Sequence, residues 1–241
     1  MTNTIADAYG QLRRAQKSAG GVSPYLRYVN RPLGRLAAAV AARFGWTPNL
    51  VTAASAVLSV AGLAAIATVQ TTPALAAIAA TALFAGYVLD SADGQLARLT
   101  GTGGPAGEWV DHVVDGGRHV GLHLAVAIAL SRFWNAESPA LLMPLAFALV
   151  SGTRFFALNL AEQLQRGARS TPRPVPAAGW RSAIQLPADS GLLNFVFLLL
   201  PWPRVFLTAY GCLLAANTLL LVMSLRRRYV ELAQLGSGEA R

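Results

Sequence analysis

Long apolar stretches separated by short polar segments dominate the sequence. Most of them approach the roughly 20 residues that an α-helix needs to cross the hydrocarbon core of a bilayer. The stretches are 49–69, 74–97, 109–130, 139–161, 187–202 and 204–225. This pattern predicts an all-α, polytopic membrane protein with six transmembrane helices, of which the fifth is short and bracketed by Pro187 and Pro201.

The segment before the first apolar stretch has a different pattern. From Ser23 to Phe44, apolar residues alternate with arginines. Arg27, Arg31 and Arg35 are spaced by four positions and therefore share one stripe of a helix. We predict an amphipathic helix that lies in the membrane interface against an anionic leaflet.

Basic residues are unevenly distributed between the predicted connections, which orients the chain by the positive-inside rule. One side carries the N-terminal arginines, Arg98, Arg166, Arg169, Arg173, Arg181 and Arg226 to Arg228, whereas the other carries only Arg132 and Arg204. Both termini are therefore expected to be cytoplasmic, in a plasma membrane of the bacterial type. We expect a cytoplasmic N-terminal segment with the juxtamembrane helix (1–46), a six-helix membrane domain (47–228) and a cytoplasmic tail (229–241).

Composition agrees with a membrane protein. Of the 241 residues, 54% are hydrophobic and 13% are charged, which excludes a disordered chain and differs from a soluble domain with about 25% charged residues. The net charge of +9 comes with a single lysine, Lys17, and long uncharged runs, a pattern that does not favour nucleic acid as a partner. A lone cysteine, Cys212, excludes an internal disulfide framework and a cysteine-based metal cluster.

The scarce acidic residues are concentrated in one part of the chain. Asp90, Asp93, Glu108, Asp111 and Asp115 lie close together, whereas the basic residues in or just beyond this window are Arg98 and Arg118. Ionised carboxylates in apolar helices are costly unless they are paired, hydrated or bound to a cation. Because two cations cannot balance five acids, the pattern indicates a bound divalent metal.

The spacing of the aspartates supports this interpretation. Asp90 and Asp93 are separated by three positions and Asp111 and Asp115 by four, so each pair shares one helix face. The Gly- and Pro-rich connection 99–106 is expected to set the two pairs opposite each other at the cytoplasmic end of the membrane. Oxygen ligands favour Mg²⁺ or Mn²⁺ over zinc.

These residues also resemble a known signature. Asp90-Ser91-Ala92-Asp93-Gly94-Gln95-Leu96-Ala97-Arg98 is followed by eight residues, Gly107, three residues, Asp111, three residues and Asp115. All eight specified positions match the signature D-x2-D-G-x2-A-R-x8-G-x3-D-x3-D of the CDP-alcohol phosphotransferase family. The resemblance covers roughly residues 24–228, and the six spans and the preceding amphipathic helix are also typical of that family.

The resemblance implies a role for each matched residue. Asp90, Asp93 and Asp111 would hold a pair of divalent ions on the donor pyrophosphate, with help from Asp115, which would also act as the general base. Gly94 and Ala97 would leave room for the nucleotide, and Arg98 would contact a donor phosphate. Thr47 to Thr52 resembles the start of the first span in that family, and we expect Asn49 and Thr52 to face the nucleotide. Thr47 and Pro48 are equally well explained as a helix start.

Three further polar residues have alternative interpretations. Glu108 to His112 resembles the G-E-x-x-D-H pattern of the choline/ethanolamine phosphotransferase branch, in which the histidine has been considered a base, although Val113 replaces the glycine that follows there. His112 is thus a second candidate base or a satisfied polar residue. Arg118 and Arg154 are expected to hold an acceptor phosphate, with pairing to an aspartate (Arg118) and snorkelling to the headgroups (Arg154) as the structural alternatives.

The sequence therefore predicts a metal-dependent membrane transferase that moves a phosphatidyl-type group from a CDP-linked donor to an acceptor hydroxyl and releases CMP. CDP-diacylglycerol with a polar acceptor is the first expectation, and a soluble CDP-alcohol with a lipid acceptor is the alternative. A divalent-cation transporter is an alternative of another class, although it would not require the Gly94, Ala97 and Arg98 pattern. The family resemblance and the many small residues also suggest a homodimer.

Overall fold

The computed structural model describes residues 4–15, 22–134, 138–168 and 180–238. Within these ranges all regular structure is helical. The helices are α1 (Ile5–Arg14), α2 (Arg31–Arg43), α3 (Pro48–Thr68), α4 (Pro73–Thr100), α5 (Pro105–Phe133), α6 (Ser138–Ala168), α7 (Trp180–Ala183), α8 (Ser190–Val196) and α9 (Pro203–Gly238).

In the described ranges five helices are long and apolar enough to cross a membrane: α3, α4, α5, α6 and α9. They coincide with the first four and the last of the predicted spans. The prediction of an all-α, polytopic integral-membrane protein is confirmed.

The predicted fifth span, 187–202, is not one long helix. It consists of a 3-10 turn (Leu186–Ala188), α8 and a second 3-10 turn (Phe197–Leu199). Pro187 and Pro201 bracket this segment, and each lacks the backbone N–H that a continuing helix needs. The structure thus has a short, interrupted helical segment at this point, and six membrane crossings remain a prediction.

Capping residues explain where the long helices begin and end. The hydroxyls of Thr47 and Thr72 accept hydrogen bonds from the backbone N–H groups of Leu50 and Leu75, and a proline follows each threonine in the first turn. Helix α4 ends at Thr100 and is capped by Gly101, whose φ of 68° is unfavourable for other residues. The connection 101–104 is therefore short, and α5 begins directly at Pro105.

Helix α3 packs against both α4 and α5 and so sets their relative positions. Its contact with α4 is close because small residues meet there. The Ser55 hydroxyl donates to the backbone oxygen of Gly86 at 2.8 Å. A Cβ atom at Gly86 would lie 2.6 Å from Ser59 Oγ and 3.1 Å from the Ser55 backbone oxygen, so glycine permits the close approach of the two helices.

In the structure, the predicted amphipathic helix over 23–44 consists of a π-helical segment (Leu26–Asn30) followed by α2. It is anchored to α4 beside the aspartates, since Asn30 Nδ2 donates to the backbone oxygen of Tyr87 and Gln95 Nε2 donates to that of Arg31. Helix α1 contributes buried side chains to a hydrophobic cluster that also includes side chains of α2 and α4. The interfacial location of this helix remains a prediction.

Candidate active site

Helices α4 and α5 bring three aspartates together. Asp90 lies on α4, and Asp111 and Asp115 lie on the first turns of α5. One carboxylate oxygen of each lies within 4.8 Å of the other two. The short connection 101–104 and the packing of both helices on α3 place these side chains opposite each other.

Asp93 is not part of this group of three. It is buried, its Oδ2 accepts a hydrogen bond of 2.6 Å from the Thr52 hydroxyl, and its Oδ1 accepts one from the backbone N–H of Gly94. Thr52, which was expected to face the nucleotide, therefore contacts a predicted metal ligand. Asp93 nevertheless lines one cavity, described below, together with the other three aspartates.

Arg118 is the cation closest to the aspartates. Its Nη2 hydrogen-bonds to Asp115 Oδ1 and lies 3.3 Å from Asp90 Oδ2, and its guanidinium carbon is 5.4 Å from the centre of the Tyr87 ring. Within the described ranges, Arg118 Nε and Nη1 and Asp90 Oδ1 are buried without a hydrogen-bond partner. Buried polar atoms rarely lack partners, so these atoms are available to a ligand such as a metal ion or a water molecule.

A cavity of about 470 Å³ opens over the aspartates. Its walls include Gly94 and Arg98 from α4 and Arg31 from α2, so cationic side chains lie in the same cavity as the carboxylates. Burial, and to a smaller extent the charge of Arg98, lowers the pKa of Arg31, but an arginine stays protonated. The cavity thus offers both carboxylate oxygens and guanidinium donors, which suits a metal-bound, phosphate-containing ligand.

A second cavity of about 280 Å³ lies beside the first, between α5, α6 and α9. Asp115, His119 and Arg154 line both cavities, as does the turn 188–190. Arg154 Nη2 donates to Gln185 Oε1 at 2.9 Å, and its Nε is buried without a partner among the described residues. Of the two arginines expected to hold an acceptor phosphate, Arg118 is thus paired with aspartates, whereas Arg154 faces both cavities.

The turn between α7 and α8 lines both cavities and is held by hydrogen bonds to three other parts of the chain. Gln185 binds Arg154, Asn217 Nδ2 donates to the backbone oxygen of Pro187 at 2.8 Å, and Asp189 accepts a hydrogen bond from the Ser23 hydroxyl. These contacts join the turn to α6, to α9 and to the residues just before the π-helical segment.

The Tyr25 ring packs directly on Gly191, where an added Cβ would lie 1.8 Å from the nearest ring atom. Burial, with a smaller contribution from the negative charge of Asp189, raises the pKa of Tyr25 to about 12. Tyr25 is therefore neutral at physiological pH. Together with the Ser23 hydrogen bond, this contact fixes the N-terminal segment at the edge of the larger cavity.

Four predicted site residues lie outside both cavity walls, among them Thr52, whose hydroxyl is directed to the buried Asp93. Asn49 is exposed and Ala97 is half-buried. The His112 side chain is 35% exposed, and its ring nitrogens lie 3.8 Å from Glu108 and 3.9 Å from Asp111. His112 thus neighbours a predicted metal ligand without facing the space in which a substrate would fit.

Other residues at the site were not predicted from the sequence. Tyr87, Gln185 and Asp189 line the larger cavity. Asp189 is an isolated acid in an otherwise apolar stretch, and this signal could have identified it. Tyr87 and Gln185 have no comparable signal, because their contacts depend on how distant helices pack.

The chemistry of the aspartate group fits a hard divalent cation. The group supplies carboxylate oxygens only, and the buried Asp90 Oδ1 has no partner in the described part of the chain. Mg²⁺ and Mn²⁺ prefer such oxygen ligands, whereas zinc prefers nitrogen and sulfur. Asp90, Asp111 and Asp115 are therefore suited to hold Mg²⁺ or Mn²⁺.

Comparisons with known proteins identify the family and a similar fold. The sequence profile described as CDP-alcohol phosphatidyltransferase matches residues 45–225. No curated protein matches the chain in sequence at a significant level.

Among solved structures, phosphatidylinositol phosphate synthase of Mycobacterium tuberculosis with CDP-DAG bound has a TM-score of 0.55 at 20% identity, over 83% of this chain and 94% of that chain. The same synthase in complex with manganese and citrate has a TM-score of 0.54 at 21% identity, over 83% of this chain and 89% of that chain. At this level of identity the likeness concerns the fold.

Proposed function

Because the chain belongs to the CDP-alcohol phosphatidyltransferase family, we propose that it moves a phosphatidyl-type group from CDP-diacylglycerol to a hydroxyl of a polar acceptor and releases CMP. Family membership makes it a membrane-bound transferase of phosphate-containing groups that serves phospholipid biosynthesis. The donor and the acceptor are our proposal. The observation that carries it is the meeting of three carboxylates and several arginines in one cavity.

The metal ligands in this proposal are Asp90, Asp93 and Asp111, with help from Asp115, and they would hold two ions of Mg²⁺ or Mn²⁺. Such ions supply neutralising charge to the pyrophosphate of the donor. Arg98 and Arg31 line the same cavity and would donate hydrogen bonds to phosphate oxygens, for which a planar guanidinium is well suited. Gly94 leaves the adjacent wall without a side chain.

Asp115 is the proposed general base. It lies where the two cavities meet, so it can face an acceptor in one cavity and a donor in the other. In the reaction, the acceptor oxygen forms a bond to the phosphorus that carries diacylglycerol. The bond from this phosphorus to the CMP oxygen breaks, and the hydroxyl proton moves to Asp115. Holding both substrates in adjacent cavities would convert a bimolecular reaction into an effectively unimolecular one, which lowers its entropic cost.

The smaller cavity is the proposed acceptor site. Arg154 contributes a positive charge, and His119, Ser151 and Asn159 contribute groups that can form hydrogen bonds. An acceptor with hydroxyl groups and a phosphate would match these side chains. The buried Arg154 Nε, which has no partner among the described residues, could bind such a phosphate.

Two observations favour a lipid donor over a soluble CDP-alcohol. The structural neighbour from M. tuberculosis was determined with CDP-DAG bound. Glu108 and His112, which would support the choline/ethanolamine alternative, are also placed unfavourably for it. Glu108 accepts a hydrogen bond of 2.6 Å from Arg166, and His112 lies outside the cavity walls.

The test is release of CMP by purified protein in detergent with Mg²⁺ or Mn²⁺. CDP-diacylglycerol and soluble CDP-alcohols would be compared as donors, each with phosphorylated and unphosphorylated polyols and with diacylglycerol as acceptors. We expect release only with CDP-diacylglycerol and a polar acceptor, and more with the phosphorylated acceptors. Release with a soluble CDP-alcohol and diacylglycerol would contradict the proposed donor, and no release with any pair would contradict the reaction.

The orientation and the assembly state are also proposals. We propose that both termini and the larger cavity face the cytoplasm and that the protein is a homodimer. Single-cysteine variants at the two ends of α5, labelled from one side of sealed vesicles after Cys212 is replaced by serine, would test the orientation. Chemical cross-linking in native membranes would test the dimer.

A further inference from the structure

Arg118 connects the two helices that carry the aspartates. It lies on α5, is 9% exposed, and contacts Asp115 on its own helix and Asp90 on α4. Its guanidinium also lies over the Tyr87 ring of α4. One side chain thus makes all of these contacts across the space in which the carboxylates meet.

Arg118 contacts only one oxygen of each of these two carboxylates. It contacts Oδ2 of Asp90 and Oδ1 of Asp115. Oδ1 of Asp90 is buried and lacks a partner among the described residues. The hydrogen bond to Asp115 and the ion pair with Asp90 therefore orient the two carboxylates and leave at least one oxygen available.

We propose that Arg118 is a positioning residue for the metal site, holding Asp90 and Asp115 so that their remaining oxygens converge with Asp111 on a divalent cation. This inference rests on the metal role in the proposed function. Side chains that hold metal ligands in place affect metal affinity by about 10–100-fold when they are changed. Arg118 would act through the ligands and would not touch the metal.

A simple counter-ion would have the opposite effect on metal binding. If Arg118 only neutralised the carboxylates, its positive charge would repel a divalent cation, and its removal would strengthen metal binding. If it positions the carboxylates, its removal weakens metal binding, because the ligands lose their fixed orientation. The sign of the change therefore distinguishes the two roles.

The experiment is titration of purified protein with Mn²⁺ alone, measured by calorimetry and by the electron paramagnetic resonance signal of free Mn²⁺. Arg118→Gln removes the bridge, and Arg118→Lys keeps the charge but loses the planar fork. Arg154→Gln is the matched control, because it removes one positive charge from the same cavity while its hydrogen bond is to Gln185. Thermal unfolding of each variant checks its folding.

We expect Arg118→Gln to raise the Kd for Mn²⁺ by about tenfold or more, Arg118→Lys to raise it less, and Arg154→Gln to leave it unchanged or lower it. An Arg118→Gln Kd that equals or falls below the wild-type value, or that rises no more than in Arg154→Gln, would overturn the inference. If Arg118→Gln does not fold, Arg118→Lys decides by itself, since a wild-type Kd in that variant overturns the positioning role.

The outcome is independent of the transfer reaction, because no nucleotide is present in the titration. Weakened Mn²⁺ binding in Arg118→Gln supports the positioning role even if no donor and acceptor pair releases CMP. A wild-type protein that does not bind Mn²⁺ would overturn the inference even if CMP is released.

Discussion

Two polar clusters follow each other along α5, and they differ in how their hydrogen-bonding atoms are satisfied. The carboxylate cluster consists of Asp90, Asp111, Asp115 and Arg118. The histidine cluster, two turns further along α5, consists of His123 with Phe147 and Tyr210. Both clusters place polar side chains inside an apolar bundle, where each unsatisfied group is costly.

The histidine cluster is closed in the sense that its polar side-chain atoms are paired with each other, although His123 and Phe147 line the smaller cavity. His123 is 1% exposed, its Nδ1 lies 2.5 Å from the Tyr210 hydroxyl, and its ring stacks on Phe147 with centroids 3.9 Å apart. Neither His123 nor Tyr210 has a buried side-chain atom without a partner in the described ranges. These contacts join α5 to α6 and α9 and indicate a packing role.

The carboxylate cluster is open. Asp90 Oδ1 and two nitrogens of Arg118 are buried without partners in the described part of the chain, and a cavity of about 470 Å³ adjoins them. The difference teaches that burial of a polar residue does not by itself indicate function. The unsatisfied atoms beside a cavity separate a binding site from polar packing.

Removal of divalent metal should have the largest effect. Because the carboxylate cluster, with Asp93 beside it, is expected to bind metal and the histidine cluster is not, chelation with excess EDTA should abolish CMP release, and added Mg²⁺ or Mn²⁺ should restore it. The helical content, measured by circular dichroism, should not change. Full activity after exhaustive chelation would show that the open cluster is not a metal site.

Asp115→Asn should have the next largest effect. An asparagine keeps the shape of the side chain but cannot accept the hydroxyl proton, so kcat should fall by about 10²–10⁴-fold. The thermal unfolding temperature reports whether the fold persists. An unchanged kcat would exclude Asp115 as the base.

His123→Phe should affect stability more than activity. It leaves the Tyr210 hydroxyl buried without its partner, which costs about 1–3 kcal/mol and should lower Tm by about 5 °C. Adding Tyr210→Phe should recover part of this loss, because both polar partners are then absent. Because His123 also lines the smaller cavity, activity per folded molecule should change, but by less than about tenfold, below the usual contribution of a general base. A loss of kcat without a loss of Tm would place His123 in the reaction.

His112→Gln should have the smallest effect. His112 neighbours Asp111 but lies outside both cavity walls, so kcat should change by less than about tenfold, below the usual contribution of a general base. Asp111→Asn, which changes the adjacent metal ligand, is the matched comparison. A loss as large as that of Asp115→Asn would make His112 the better candidate for the base.

Much of the fold could be predicted from the sequence, because lipid leaves the backbone few choices. A long apolar stretch in a bilayer must satisfy its N–H and C=O groups within itself, so length and composition are enough to predict α3, α4, α5, α6 and α9. The structure of the stretch 187–202 was harder to predict, because its length lies near the lower limit for a membrane span and prolines bracket it. Whether such a segment is continuous depends on its neighbours.

The candidate site was predictable in part for a similar reason. Aspartates in apolar helices need a counter-charge, and local spacing predicts which of them share a helix face. Spacing does not predict the partner of each side chain. Asp93 pairs with Thr52 and Arg118 pairs with Asp90, and these two contacts join residues on different helices.

The sequence by itself determined the membrane environment, most of the long helices and the family, because these depend on composition and on a local motif. Only the tertiary structure decided which polar residues face a cavity. It also distinguished the carboxylate cluster, which has buried atoms without partners among the described residues, from the histidine cluster, whose polar atoms are paired, although α5 contributes to both. The physical reason is that a side chain's hydrogen-bond partners come from other helices, and their positions depend on the packing of the whole bundle.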